Sequence, residues 1–270
     1  MSRQLVSVIM PTFNAGKFLP DSIESILGQT YEDLELLITD DGSTDTLTLQ
    51  ILKEYSQKDS RLKVEYLQGN SGPAYARNQS IKRAQGRYIA FCDSDDRWMP
   101  EKLERQIRFM TEKDSALCYS SYIVCDDKNE EIGISIVPNS ISFNMLKQDN
   151  KIGCLTAIYD IRKLGKKYYM PQLRKRHDWG LFLTILQDCH IAYGITEPLA
   201  WYRHRSHSVS SNKLSLVTYN IQVYETVLNF PRWKAVLYFF FIFLPTYYIK
   251  VLKRNHDSKK YLIEKERRIQ

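Results

Sequence analysis

Asp93, Asp95 and Asp96 crowd into four residues at the end of the apolar run Tyr88-Ile89-Ala90-Phe91-Cys92. Carboxylates this close repel one another, so a fold that sets them at a strand end needs a counter-charge. A divalent cation carrying a diphosphate would supply it. Hard oxygen ligands suit Mg2+ or Mn2+, and one or two carboxylates plus phosphate oxygens is the usual set. By itself the D-x-D spacing also fits a solvated acidic turn. A second acidic pair, Asp40-Asp41, follows Leu34-Glu35-Leu36-Leu37-Ile38 and leads into Gly42-Ser43-Thr44-Asp45, which reads equally as a turn and helix cap. Arg77 offers a planar guanidinium suited to phosphate oxygens, against the plain reading of a solvated helix arginine. Asp178 stands where a helical pattern begins, a place the helix dipole favours for any acid.

The elements that must position these groups alternate through the first hundred residues. Val6 to Met10 is a β-rich run stopped by Pro11, and a helix pattern follows over 17–27. A second strand over 34–38 precedes a helix reaching about Gln57, with Ser43 or Thr44 as N-cap and Asp45 as a further capping group. A third strand occupies 62–67, the turn Gly69 to Pro73 opens a helix through Ala84, and the fourth strand spans 88–92. Strands separated by helices imply a parallel sheet, and such sheets bind ligands at the strands' carboxyl ends. Pro11-Thr12, Asp40-Asp41 and Asp93–Asp96 all fall on that edge, which favours a ligand site over a decorative turn. Beyond Pro100 the pattern predicts a helix, β-rich runs over 116–124 and 132–137, and a loop-rich stretch over 150–176. A helix over 178–187 and two short strands, 192–195 and 199–202, follow.

A chain of 270 residues can hold one large domain or two small ones. Five cysteines, an odd number without C-x-x-C spacing, argue against a disulfide framework or zinc site and fit a reducing compartment. The strand pattern begins by Leu5, which leaves no room for a signal peptide. Residues 232–270 carry ten Lys/Arg against three Asp/Glu, so the whole net charge of +7 sits there and the first 231 residues are neutral. A neutral body argues against a nucleic-acid partner.

In order along the chain come Val-Ser-Val-Ile-Met-Pro-Thr-Phe-Asn (6–14), Asp-Asp-Gly-Ser-Thr-Asp (40–45), Gly72 with Ala76-Arg77-Asn78, Asp-Ser-Asp-Asp (93–96) and His-Asp-Trp (177–179). As an ordered set they resemble an inverting family 2 glycosyltransferase of the GT-A fold. The resemblance covers about Val6 to Ser210 and is closest to bacterial enzymes that extend lipid-linked O-antigen, capsule or teichuronic-type glycans. It implies an α/β, Rossmann-like nucleotide-diphospho-sugar transferase with a mostly parallel central sheet and a C-terminal helical tail. Residues 1–215 would form the catalytic domain, 1–99 its nucleotide-sugar half and 100–215 its acceptor half, with 216–270 as the tail.

The resemblance also implies roles. Pro11, Thr12 and Phe13 line base and ribose. Asp40 accepts the uracil imide hydrogen, with Asp41 in its place if the register is off by one. Arg77 contacts the pyrophosphate, and Asn78 touches the ribose or holds the loop. Asp95 is the direct metal ligand, Asp93 lies near the ribose and the metal's waters, and Ser94 sits between them in the donor site. Asp96 caps or supports the helix after Pro100. Asp178 is the base that takes the acceptor proton. His177, standing where glutamate is common, orients Asp178 or contacts the acceptor, while Trp179 stacks on a sugar or belongs to the core. Arg205 stands where many relatives carry a metal-ligating histidine, so Arg203 and Arg205 are expected to clamp phosphates. His204 or His207 would ligate only in a shifted register.

Ala235 to Ile249 carries no charge, with Arg232 and Lys234 before it and Lys250, Lys253 and Arg254 after it. Such a helix would reach about 22 Å against a hydrocarbon thickness of about 30 Å, and Pro245 would bend it. Residues 232–254 therefore read as a surface anchor whose basic flanks meet anionic headgroups. A span, a buried helix and a homodimer contact are the other uses of such a segment. The expected protein is cytoplasmic and peripherally held at the inner face of the plasma membrane. It would use Mn2+ or Mg2+ to move a hexose, glucose or galactose first, from a UDP-sugar to a lipid-linked glycan with a β-linkage. A non-catalytic UDP-sugar-binding scaffold is the rival. A nucleotidyltransferase ranks below it, because the chain has no glycine- and lysine-rich triphosphate loop.

Overall fold

The computed structural model describes residues 4–205 and 213–269. Strands β1 (Val6–Thr12), β2 (Leu34–Asp40), β3 (Leu62–Tyr66) and β4 (Tyr88–Phe91) alternate with helices α1 (Leu19–Leu27), α2 (Thr46–Lys58) and α3 (Pro73–Arg83). The strands lie side by side in the order β3-β2-β1-β4, all parallel. Every residue of β1 and β2 is buried, as expected of strands covered on both faces, and this is why both read as continuous apolar runs.

β1 runs past Pro11 to Thr12 rather than stopping at the proline. The Ile9 carbonyl accepts the Cys92 amide, so Ile9 faces β4; Pro11, two residues on, faces the same side, where β4 has already ended. Its missing N–H therefore costs no ladder bond. The cap of α2 is Asp45, whose carboxylate accepts the Leu47 and Thr48 amides, and not Ser43 or Thr44. Ser43 is spent instead on Asp40 and on the Asn14 amide.

The second half extends the same sheet through β5 (Arg97–Trp98), α4 (Lys102–Glu112), β6 (Leu117–Cys125), β7 (Glu131–Ser135), β8 (Ser140–Ser142), α5 (Phe143–Gln148), a 3-10 turn (Cys154–Thr156), β9 (Ile158–Asp160), α6 (Ile161–Leu164), α7 (His177–Cys189) and β10 (Ile191–Arg203). β9 inserts antiparallel between β4 and β6, β10 runs parallel to β6, and β5 closes antiparallel on β10. The two short strands expected over 192–202 are one strand. Register shifts between Ile195 and Pro198 and between Pro198 and Trp201 absorb the interruption as bulges. Side chains alternate between two cores: Ile9, Leu37, Ile89 and Phe91 face α7, while Val8, Met10, Leu36 and Ile38 pack with residues of α1 and α4.

Helices α8 (Lys213–Leu228), α9 (Arg232–Tyr238) and α10 (Leu244–Ile269) complete the chain, with a π-turn at Phe239–Phe243 between the last two. From Arg232 to Arg268 the helix is continuous over 37 residues, about 55 Å, in place of the short bent helix expected from Pro245. Pro245 cannot donate to the Phe241 carbonyl and its ring crowds that turn; the wide turn just before it relieves the clash without ending the helix. Ala235, Phe239 and Phe243 bury with Trp179 and Tyr224, so α8 and α9 belong to the α7-side core. On the outer face Trp233, Leu237, Phe240, Phe241, Leu244 and Tyr248 remain exposed. Farther on, α10 lies along β7. Ser258 exchanges two hydrogen bonds with the Ile134 backbone, and Tyr261 and Lys265 each reach Glu131 at 2.8 Å. Lys250 turns inward to Asp149 at 2.7 Å, which removes it from the basic flanks expected to meet headgroups.

Candidate active site

The parallel register sets Thr12 beside Asp40 and Asp40 beside Tyr66, so the ends of β1, β2 and β3 are level. Both acidic side chains are buried and bound to neighbours. Asp40 accepts from the Ser43 amide at 3.0 Å and from its hydroxyl, while Asp41 accepts from the Ser71 and Gly72 amides at 2.8 Å each. Asp41 thus clasps the loop before α3, where Gly72 takes a positive φ of 91° ahead of Pro73. Pro11 and Thr12 are buried, and the Thr12 hydroxyl has no partner among the described residues. Phe13 and Tyr66 stand exposed at the same edge, two aromatic faces beside Asp40. Tyr66 had no sequence signal beyond its place at a strand end. Asn14, the last residue of the 6–14 motif, has a left-handed backbone that lets its side chain accept the Thr44 and Asp45 amides.

The turn after β4 brings the ligand oxygens of Asp93, Asp95 and Asp96 within 4.8 Å of one another. Burial, then the neighbouring Asp93, push the Asp95 carboxyl up, against the pull of Arg205. Burial, then Asp95 and Asp93, push Asp96 well up. Three carboxylates that penalise one another in spite of nearby arginines would gain from a further cation, and three hard oxygens fit a divalent ion such as Mn2+ or Mg2+. Asp95 pairs with Arg205 at 2.6 Å, and Ser94 is half-buried between the two acids. Asp96 accepts the Arg203 amide at 2.9 Å, so it ties the turn to β10 and does not cap α4, whose N-cap is Glu101. Arg203 is likewise internal. Its guanidinium donates to the Asp95 carbonyl at 2.9 Å and to Asn129 at 2.6 Å and lies 4.5 Å over Phe18, which leaves no phosphate clamp at this residue. His204 is exposed and outside the acidic cluster; His207 lies outside the described residues.

Arg77 joins the acidic turn to α7. One guanidinium nitrogen donates to Asp93 and another to His177 Nε2 at 2.7 Å. Burial is the largest single influence and opposes its charge, but Asp93, with Cys154 and Asp178 adding, raises the guanidinium pKa overall. Burial first, and Arg77 second, lower the His177 pKa to about 4. The ring therefore faces Arg77, and the group that holds Asp178 is Asn150, whose Nδ2 donates to Asp178 Oδ2 at 3.2 Å. Asn78 ties both ends of its amide to the Met170 backbone, at 2.8 and 3.0 Å, which holds the loop. Trp179 is fully buried and donates to the Leu146 carbonyl, so it is core. A cleft of 350 Å³ opens between Asn70–Tyr75 and Gln172–Arg174, with Asn78 in its wall. A larger hollow of 490 Å³ near Arg105 and Glu197 contains none of these groups.

Residues 7–207 match the model of glycosyl transferase family 2. The chain is 39% identical over 234 residues to TuaG of Bacillus subtilis (strain 168), a glycosyltransferase whose name assigns it provisionally to teichuronic acid biosynthesis. That match covers 86% of this chain and 92% of TuaG. It is 41% identical over 217 residues to WfgD of Escherichia coli, named as a UDP-Glc:alpha-D-GlcNAc-diphosphoundecaprenol beta-1,3-glucosyltransferase, covering 79% of this chain and 82% of WfgD. Among solved structures, S. aureus TarS 1–349 in complex with UDP-GlcNAc superposes with a TM-score of 0.67 at 22% identity, over 85% of this chain and 69% of that one. With a family match across most of its length and the GT-A arrangement of strands and acidic turn, the chain belongs to glycosyl transferase family 2.

Proposed function

We propose that this protein transfers a hexose, glucose first, from a UDP-sugar to a lipid-linked glycan diphosphate, with inversion to a β-linkage. The observation that carries the reading is the Arg77 bridge. It ties Asp93 of the acidic turn to His177, the neighbour of Asp178, which supports reading the turn as the diphosphate-metal site and Asp178 as the base of one reaction. The relatives named above support the choice of donor and acceptor.

Asp95 and Asp93 would hold Mn2+ or Mg2+, which neutralises the charge that builds on the departing UDP. Thr12, Phe13, Asp40 and Tyr66 form the edge that takes base and ribose, with Asp40 reading the uracil imide and Asp41 shaping the adjoining loop. Arg205, which pairs with Asp95 at 2.6 Å, would turn to the diphosphate. Asp178 takes the proton of the acceptor hydroxyl as that oxygen attacks the anomeric carbon on the face opposite UDP. The exposed outer face of α9 and α10 lies on the inner surface of the cytoplasmic membrane, with Arg232, Lys234, Lys253 and Arg254 at the headgroups. The helix is long and apolar enough to cross a bilayer, but the contacts of its inner face with the catalytic body favour the surface pose.

The test is transfer of radiolabelled glucose from UDP-glucose to a synthetic GlcNAc-diphosphate-lipid. Chelation or Asp95→Ala is expected to remove activity by at least about 100-fold, restored by Mn2+ only in the parent. Asp178→Asn should lose about 1,000-fold in kcat while still binding UDP. Binding of UDP without transfer of any hexose would establish the scaffold instead, and an active Asp178→Asn would remove the base.

A further inference from the structure

Lys250 belongs to the helix whose outer face is apolar, yet its ammonium turns into the body of the protein. It donates to Asp149 Oδ1 at 2.8 Å and to the Asn150 carbonyl at 2.7 Å, with Asp149 Oδ2 2.7 Å away. Asp149 is 1% exposed and closes the C-terminus of α5. One ammonium thus fixes the side chain of residue 149 and the backbone of residue 150. The Asn150 side chain is aimed from that anchor. Its Oδ1 accepts the Ile152 amide at 3.2 Å, which defines the nitrogen end, and that nitrogen meets Asp178 at 3.2 Å.

Adhesion of the helix does not account for this pair. Ala235, Phe239 and Phe243 already seat the helix in the core. Taking two charges out of water is costly enough that an apolar replacement is often neutral or stabilising. Burial lowers the Lys250 pKa against the opposing pull of Asp149, and Arg176 and Lys151 add to the lowering. What an apolar contact would not supply is direction: two hydrogen bonds from one nitrogen hold two consecutive residues in a single orientation.

We propose that Lys250 is a positioning residue for Asp178, coupling the seating of the C-terminal helix to the aim of the carboxylate that takes the acceptor proton. This rests on the reading of Asp178 as the base. None of the contacts of Lys250 involves the strand edge, the acidic turn or Arg77, so its removal should misalign the base without loosening the donor.

Lys250→Met and Asn150→Ala are each expected to lower kcat about tenfold, with the KM for UDP-glucose and the affinity for UDP within about twofold of the parent. The double variant should fall no further than the deeper single one, because both changes cut the same chain. Lys250→Arg keeps the charge and several donors and should return kcat to within about threefold. The coupling is overturned by a Lys250→Met enzyme of parental kcat, by parallel losses of kcat and UDP affinity in both single variants, or by multiplied losses in the double. Asp178→Asn separates this from the reading beneath it. An active Asp178→Asn removes the base itself, whereas an inactive one beside a fully active Lys250→Met sinks the coupling alone.

Discussion

Arg77 donates in two directions, and because arginine has no acceptor the Nε2 of His177 must be the receiving atom, with the ring proton on Nδ1. A neutral buried histidine has a consequence for stability. Its pKa falls from 6.5 to about 4 on folding, so between those values the unfolded chain binds a proton that the folded one refuses. Stability is therefore lost as pH falls through this window and regained as pH rises. His177→Gln keeps an acceptor without titrating, and it should flatten the decline of the thermal midpoint across the same window; an unchanged slope would assign the decline to other groups. At this scale the shared strand edge of Asp40, Asp93 and Asp95 was legible because each follows a patterned strand, and the place of Asp178 because a helical pattern begins there. The Arg77–His177 contact was not, since its partners are 100 residues apart and only packing of α3 against the start of α7 joins them. Lys250 was misread for the same reason: a lysine after an apolar run looks like a headgroup contact until the helix is seen to turn it inward.

Among the elements, those legible in the sequence had one period throughout. β1, β2 and β4 show as apolar runs and α1 to α3 as intervening helices, because both faces of the parallel sheet are covered. β10 broke into two in the sequence because bulges around Pro198 interrupt its alternation while its pairing with β6 continues. The C-terminal helix was expected to bend at Pro245 because a sequence pattern carries no sign of a π-turn that accommodates the proline. That turn also places Phe239 and Phe243 on the inner face, stacked with ring centroids 5.3 Å apart, and Phe243 meets Trp179 at 5.5 Å. Phe243→Ala should accordingly cost about 3 kcal/mol in denaturant unfolding. A loss below about 1 kcal/mol would mean that the helix is only loosely seated.

For the whole molecule, one long helix has two unlike faces. Its inner face is part of the core, and its outer face presents Phe241 at 72% and Tyr248 at 63% exposure. Clustered aromatic and aliphatic groups of this kind, rimmed by Lys and Arg, suit the headgroup boundary of an anionic bilayer. The parent protein is expected to float with vesicles containing anionic lipid. Phe241→Glu with Tyr248→Glu should stay at the bottom of the gradient and still bind UDP; flotation of this variant would place the membrane contact elsewhere.

The attachments of α10 along its length, at Asp149, at Ile134 and at Glu131, carry a geometric consequence. A rod fastened at several points cannot roll about its own axis. With the outer face resting on lipid as proposed, every copy would settle with the carboxyl edge of the sheet at one height and tilt. Acceptors diffusing in the plane would meet an aperture that never turns away, and the pace of encounter would be set by lateral traffic in the lipid rather than by tumbling of the protein.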